Sequence, residues 1–196
     1  MNIYNEQYRS FSDEILMYLI EDGDASAFDE LYRRYSKRLL YFFFRMLGND
    51  RDTAQDFLQE VFLKVVEKPH MFRTEKRFST WIYTVAHNMC KCEYRRRDVR
   101  KNTRNEADLD SILAGKSDDE NKIERRFDWD RFKNTLFAEL ESLNDDQRAV
   151  FLLRYQENFS IREIGKILRC SEGTVKSRLF YGTKKLAEKL KEFNPR

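Results

Sequence analysis

Between Asp24 and Leu47 the apolar residues Phe28, Leu31, Tyr32, Tyr35, Leu39, Leu40 and Phe43 return at steps of three and four. An α-helix gathers that spacing on one face. Gly48-Asn49-Asp50 then supplies a C-terminal glycine and an N-cap for the next helix. That segment continues the pattern with Ala54, Phe57, Leu58, Val61, Phe62, Val65 and Val66 as one apolar stripe. It stops at Pro69, because the residue before a proline is pushed away from helical geometry. A polar loop from His70 to Arg77 leads into a third helix through Trp81, Ile82, Val85, Ala86 and Met89, with Ser79 as its expected cap. Two prolines and six glycines in 196 residues argue against a turn-rich sandwich or barrel.

Charge divides the chain further. The formal net charge is only +3, although 36% of the residues are charged. Lys91 to Arg104 carries seven basic residues against Glu93 and Asp98. From Asn105 to Asn121 the sign flips, with Glu106, Asp108, Asp110, Asp118, Asp119 and Glu120 against Lys116 alone. Apolar residues thin there to Leu109, Ile112 and Leu113, too few to offset an ordering cost of about 1–2 kcal/mol per residue. The expectation is an all-α chain of two small helical domains, 13–101 and 128–191, joined by a flexible acidic linker at 102–127. No apolar run reaches the roughly 18–20 residues of a membrane span, and Met1 to Ser10 does not resemble a signal peptide. Three cysteines make no disulfide framework, so a soluble, cytoplasmic protein without membrane insertion is expected.

The most specific local pattern lies near the end. Ser160 and Glu163 form a capping box for a short helix that turns Ile161, Ile164, Ile167 and Leu168 inward. Gly165 is small where a second helix must cross closely, Arg169-Cys170-Ser171 makes the turn, and Ser171 caps the helix that follows. Val175, Leu179 and Leu186 face inward there, leaving Thr174, Lys176, Ser177, Arg178 and Tyr181 more outward. A helix offering hydroxyls and cations from its N-terminal half suits the major groove, which distinguishes every base pair.

These residues resemble a known family. Gly173-Thr174-Val175-Lys176-Ser177-Arg178-Leu179, preceded by Leu143-Asn144-Asp145-Asp146-Gln147-Arg148-Ala149-Val150-Phe151, is similar to region 4 of a bacterial RNA polymerase sigma factor. The type is the extracytoplasmic-function (ECF) group of the sigma-70 family. Asp56-Phe57-Leu58-Gln59-Glu60-Val61-Phe62 resembles region 2.2, and Phe78-Ser79-Thr80-Trp81-Ile82-Tyr83-Thr84-Val85-Ala86-His87-Asn88 resembles regions 2.3 and 2.4.

The resemblance implies a promoter-specificity subunit that catalyses nothing itself. Gln55, Asp56, Gln59 and Glu60 would dock on polymerase. Phe72, Arg73, Lys76, Arg77, Asn88, Arg95 and Arg96 would hold and open the minus-10 element. Thr174, Lys176, Ser177, Arg178, Phe180, Tyr181, Lys184 and Lys185 would read the minus-35 element. The implied partners are core RNA polymerase (beta-prime and beta subunits), promoter DNA and an anti-sigma factor. Cys92, Gln55 and Tyr181 depart from the common family pattern.

Other chemistries find little footing. His87, Cys90 and Cys92 do not make a metal site, since residues two apart on a helix point about 200° from one another. No cofactor is expected, as no phosphate-binding glycine loop occurs. The alternative is a stand-alone dimeric helix-turn-helix regulator, which would read symmetric half-sites and leave the Asp56 face without a partner.

Overall fold

The computed structural model describes residues 4–72, 77–103 and 124–193, apart from the side chains of 4–6, 101–103, 124–130 and 192. The expectations placed on Arg73, Lys76 and connector residues 104–123, including Asp118, Asp119 and Glu120, lie outside them. The described chain is all helical. α1 (Tyr4–Ser10), α2 (Asp13–Glu21), α3 (Ala25–Met46), α4 (Arg51–Glu67) and α5 (Phe78–Thr103) form the first domain. α6 (Glu124–Glu139), α7 (Asp145–Phe151), α8 (Ile161–Leu168) and α9 (Glu172–Lys189) form the second.

The helix ends follow local chemistry. Asp24 caps α3 by accepting from the amides of Ser26 at 2.8 Å and Ala27 at 3.2 Å. Gly48 and Asn49, at φ 74° and 61°, then reverse the chain, and Asp50 caps α4 by accepting from Thr53 N at 3.1 Å. A non-glycine residue in the left-handed region is most tolerable when it is asparagine. The cap expected at Ser79 is not found there. α5 starts two residues earlier than that cap would place it, at Phe78, and the Phe78 amide donates instead to the Glu14 carboxylate of α2 at 3.0 Å. An anion from outside the helix serves an unsatisfied N-terminal amide as well as a local hydroxyl does.

The first core is built from Leu31, Tyr35, Leu39, Phe42 and Phe43 of α3, Ala54, Leu58, Val61 and Val65 of α4, and Ile82, Tyr83 and Ala86 of α5, all buried. Each fully buried large side chain of this kind stabilises the fold by about 1.5–3 kcal/mol. The apolar stripe expected along α4 ends at Val65, and Val66 is exposed as the helix runs past the core. In the second domain Leu140, Leu143, Val150, Leu153, Ile164, Ile167, Val175 and Leu186 are buried. Between α7 and α8 the chain makes a π-helical turn, Leu152–Gln156, and then a loop through Asn158 at φ 61°. The two domains are not held apart: α8 packs across α5, and α7 meets the C-terminal end of α3.

Candidate polymerase and nucleic-acid interfaces

On α4, Gln55, Asp56, Gln59 and Glu60 are all exposed, opposite the buried Ala54, Leu58 and Val61. Positions 55 and 59, and 56 and 60, are each one helical turn apart, so two polar rows lie side by side. Glu60 is paired along the helix with Lys64. Leu63 continues the Gln59 row and is half exposed, as is Val66 beyond it. Sequence reasoning passed over Leu63; the signal was an apolar residue one turn along a polar row. Acids and amides beside exposed aliphatics form a face with both charge and apolar contact to offer a protein partner.

The second face runs along α5. Asn88, Arg95 and Arg96 are exposed, and Lys91, between Asn88 and Arg95, is exposed beside them. Arg96 lies 3.9 Å from the Glu93 carboxylate. Arg77, at the head of α5, reaches Glu163 of α8 at 3.1 Å. Phe72 does not present a free ring to a base as expected. It is buried, edge to face with Phe78 and Trp81 at centroid separations of 5.6 Å, because those two rings cap the end of the core beneath it. Trp81 remains part-exposed and, with Thr84, Val85 and Asn88, forms one wall of a cleft of about 1070 Å³. Its other wall carries Arg162, Glu163, Lys166 and Arg169 of the second domain.

His87 was not among the expected contacts, yet it is buried next to this face, lining two smaller clefts. Its burial, reinforced by Lys91, pushes the imidazole down to about 4, so it is neutral near pH 7. Cys90 points into the core, where burial raises its thiol well above the ordinary range, while Cys92 is exposed.

The third face is the helix-turn-helix. The capping box is complete: Ser160 Oγ accepts from Glu163 N at 3.2 Å, and Glu163 Oε2 accepts from Ser160 N at 2.9 Å. The Ser160 hydroxyl also donates to Glu163 Oε2 at 2.7 Å, and this bond, then that from Ser160 N, more than Arg77, holds the Glu163 carboxyl below its usual range. Arg169 takes the left-handed conformation at φ 53°, and Ser171 caps α9 by accepting from Thr174 N at 3.1 Å.

Along α9 the expected contacts divide. Lys176, Ser177, Phe180, Tyr181 and Lys184 are exposed, with the Phe180 and Tyr181 rings edge to face at 5.4 Å. Thr174 is half-buried, its hydroxyl within 2.9 Å of the Ser171 cap. Lys185 is exposed as well, but it and the part-buried Arg178, two turns apart, are tied to their own domain. Arg178 pairs with Asp146 of α7, and Lys185 donates to the Ser142 carbonyl. Sequence periodicity placed Arg178 outward, whereas it is part-buried, because an acid from α7 reaches it.

The family model for sigma-70 region 2 matches residues 31–100, and that for sigma-70 region 4 matches residues 134–186. The ECF RNA polymerase sigma factor SigW of Bacillus subtilis is 29% identical over 182 residues, covering 88% of this chain and 94% of that protein. The RNA polymerase sigma-H factor of Pseudomonas aeruginosa is 31% identical over 172 residues, covering 86% and 88%. Among solved structures, the sigma factor RpoE of Bartonella quintana, in complex with the anti-sigma factor NepR, superposes with a TM-score of 0.67 at 21% identity, over 84% of this chain and 96% of that one. With α4 and most of α5 inside the region 2 match, and α8 and most of α9 inside the region 4 match, the chain belongs to the sigma-70 family of RNA polymerase sigma factors, in its extracytoplasmic-function group.

Proposed function

We propose that this chain directs core RNA polymerase to promoters through three separate faces: α4 for the polymerase, α5 for the minus-10 element and α9 for the minus-35 element. The observation that carries this reading is the division of one small domain between an acid-amide face on α4 and a basic face on α5. Gln55, Asp56, Gln59 and Glu60 offer acceptors that form charge-assisted bonds with basic side chains of a polymerase subunit. On α5, Lys91, Arg95 and Arg96 neutralise phosphates, and Asn88 supplies a donor and an acceptor to a base edge. On α9, Lys176 and Ser177 reach the major groove while Lys184 meets the backbone, with Phe180 and Tyr181 giving apolar contact to base edges.

The chain supplies specificity, and the polymerase supplies catalysis, in the cytoplasm where both act. An anti-sigma factor is a further partner, supported by the solved relative that is bound to one. Co-elution with purified core polymerase on a sizing column tests the reading. The wild-type chain should co-elute, and a chain that remains free at low salt, or that runs as a dimer on palindromic DNA, would count against it.

A further inference from the structure

The cleft between α5 and α8 has two lobes. The larger, of about 1070 Å³, continues past Asn88 and Arg169 into a second of about 370 Å³, since those two residues line both. Its walls are fixed to one another by Glu157, whose carboxylate accepts from Arg38 Nε of α3 at 2.9 Å and from the Tyr83 hydroxyl of α5. Cavities of this size hold small ligands. Cations converge on the cleft from both sides. Arg162, Lys166 and Arg169 follow at steps of four and three along α8 and its C-cap, and line the larger lobe. Lys91 and Arg95 of α5 line the smaller lobe opposite Arg169, with no acid among its lining residues. All five are exposed, and none has an ion-pair partner among the described residues. The one acid of the larger lobe, Glu163, is already committed to the Ser160 amide and hydroxyl and to Arg77. Like charges around a low-dielectric groove repel one another and focus a positive field into it, which an anion relieves.

Arg169 stands apart among the five. It ends α8 in the left-handed conformation, at φ 53° and ψ 48°, where glycine is usual because a side chain is strained there. From that position one guanidinium lines both lobes. The α5 wall adds a flat apolar surface. The Trp81 ring is part-exposed and braced from behind by Phe72 and Phe78, each with its centroid 5.6 Å away. Trp81, Asn88 and Arg95 are each seven residues apart, so they follow one stripe of the helix at intervals of about 10 Å. The groove therefore offers, in order, an aromatic face, an amide with both donor and acceptor, and a set of cationic groups that match phosphate.

We propose that this cleft binds a free nucleotide carrying two or more phosphates, with its base stacked on Trp81, its base edge met by Asn88, and its phosphates held between Arg169 and the α5 cations. An acidic peptide or a bare polyphosphate would satisfy the cations but leave the Trp81 face and the Asn88 amide without a planar partner. Stacking accepts any base, so the site selects its ligand by phosphate number more than by base identity. The assignment rests on the lining of the cleft and not on the function proposed above.

Isothermal titration calorimetry of the full chain with ATP, in magnesium-free buffer at low salt, tests the site. One ATP should bind per chain, and GTP should bind within about threefold of it, because stacking tolerates any base. Inorganic triphosphate, which has no base to stack, should bind about tenfold more weakly. Arg169→Gly should weaken ATP binding about tenfold while leaving the melting midpoint unchanged or higher, since glycine takes the left-handed turn freely. Lys91→Ala, on the facing wall, should weaken ATP binding too, whereas Lys37→Ala, at an exposed position of α3 outside the cleft, should not. No binding of ATP, or an affinity lowered as much by Lys37→Ala as by Arg169→Gly, overturns the site. Inorganic triphosphate binding as tightly as ATP overturns the nucleotide assignment. So does a short oligothymidylate that binds more tightly than ATP and is weakened equally by Arg169→Gly, which would give the cleft to a DNA strand. Failure to co-elute with core polymerase would reject the proposed function and leave the outcome of this titration unaffected.

Discussion

The Arg178 guanidinium on the recognition helix is bound by the Asp146 carboxylate at the start of α7, and it also lies 3.7 Å from Cys170 Sγ. A DNA contact by Arg178 therefore competes with a partner inside its own domain. Lys176, two residues earlier and exposed, has no such tie among the described contacts. Lys176→Ala should weaken binding of the minus-35 element by about 1–3 kcal/mol if the lysine reads a base. Asp146→Asn should strengthen binding by releasing Arg178, with a steeper salt dependence if the freed cation meets phosphate. Titration of labelled promoter fragments at several salt concentrations separates the two, and a weaker Asp146→Asn complex would show that the pair instead orders the helix for DNA.

The α4 face gives a second outcome. Asp56→Arg with Glu60→Arg should abolish association with core polymerase while leaving the thermal midpoint within a few degrees of wild type, since both residues lie off the buried stripe. Exposed substitutions of this kind usually cost within about 0.5 kcal/mol. Co-elution and a melting curve on the same sample provide both readings.

Gly165 and Gly173 of the helix-turn-helix should behave in opposite ways. A Cβ at Gly165 would lie 2.9 Å from the Cys170 carbonyl, a backbone atom that cannot swing away. Gly165→Ala should therefore destabilise by about 1–3 kcal/mol. At Gly173 the nearest atom is Ser171 Oγ, at 3.7 Å, so Gly173→Ala should be neutral or stabilising by up to about 1 kcal/mol. Urea unfolding of each variant checks the contrast.

His87 predicts a pH dependence. Its imidazole titrates at about 4 in the folded chain, because of burial first and Lys91 second. An unfolded histidine titrates near 6.5, so between these values the unfolded state binds more protons and stability rises with pH. The contribution is complete above about 6.5 and is lost as the pH falls toward 4, reaching about 2 kcal/mol at pH 5. Glu30 does not share this window. Arg33 and then Arg34 hold its carboxyl at about 2 against the cost of burial, so its contribution falls away only at lower pH. Urea melts at pH 7 and pH 5 should show the loss in wild type and a much smaller one in His87→Gln.

What was legible in the sequence was mostly local. The Asp50, Ser160 and Ser171 caps depend on amides three residues away, and all three are found as read. The exposed rows of α4 and α9 follow from helical period alone. What was not legible depends on distant partners. The Glu14 carboxylate that caps α5 is 64 residues from Phe78, and the Glu157 that binds Arg38 is 119 residues away. Phe72 read as a stacking platform because an aromatic in a basic loop has two possible fates, and only the placement of Phe78 and Trp81 turns it inward. Charge runs separated the domains in the sequence, but nothing periodic records that one is folded against the other.

The most direct test of the account is transcription of total genomic DNA by core polymerase with and without this chain, with the 5′ ends of the transcripts mapped. The account predicts a new set of start sites that share two upstream elements at a fixed separation, lost with Asp56→Arg/Glu60→Arg. The same start sites with and without the chain, or chain-dependent binding at palindromes with no new transcripts, would contradict it.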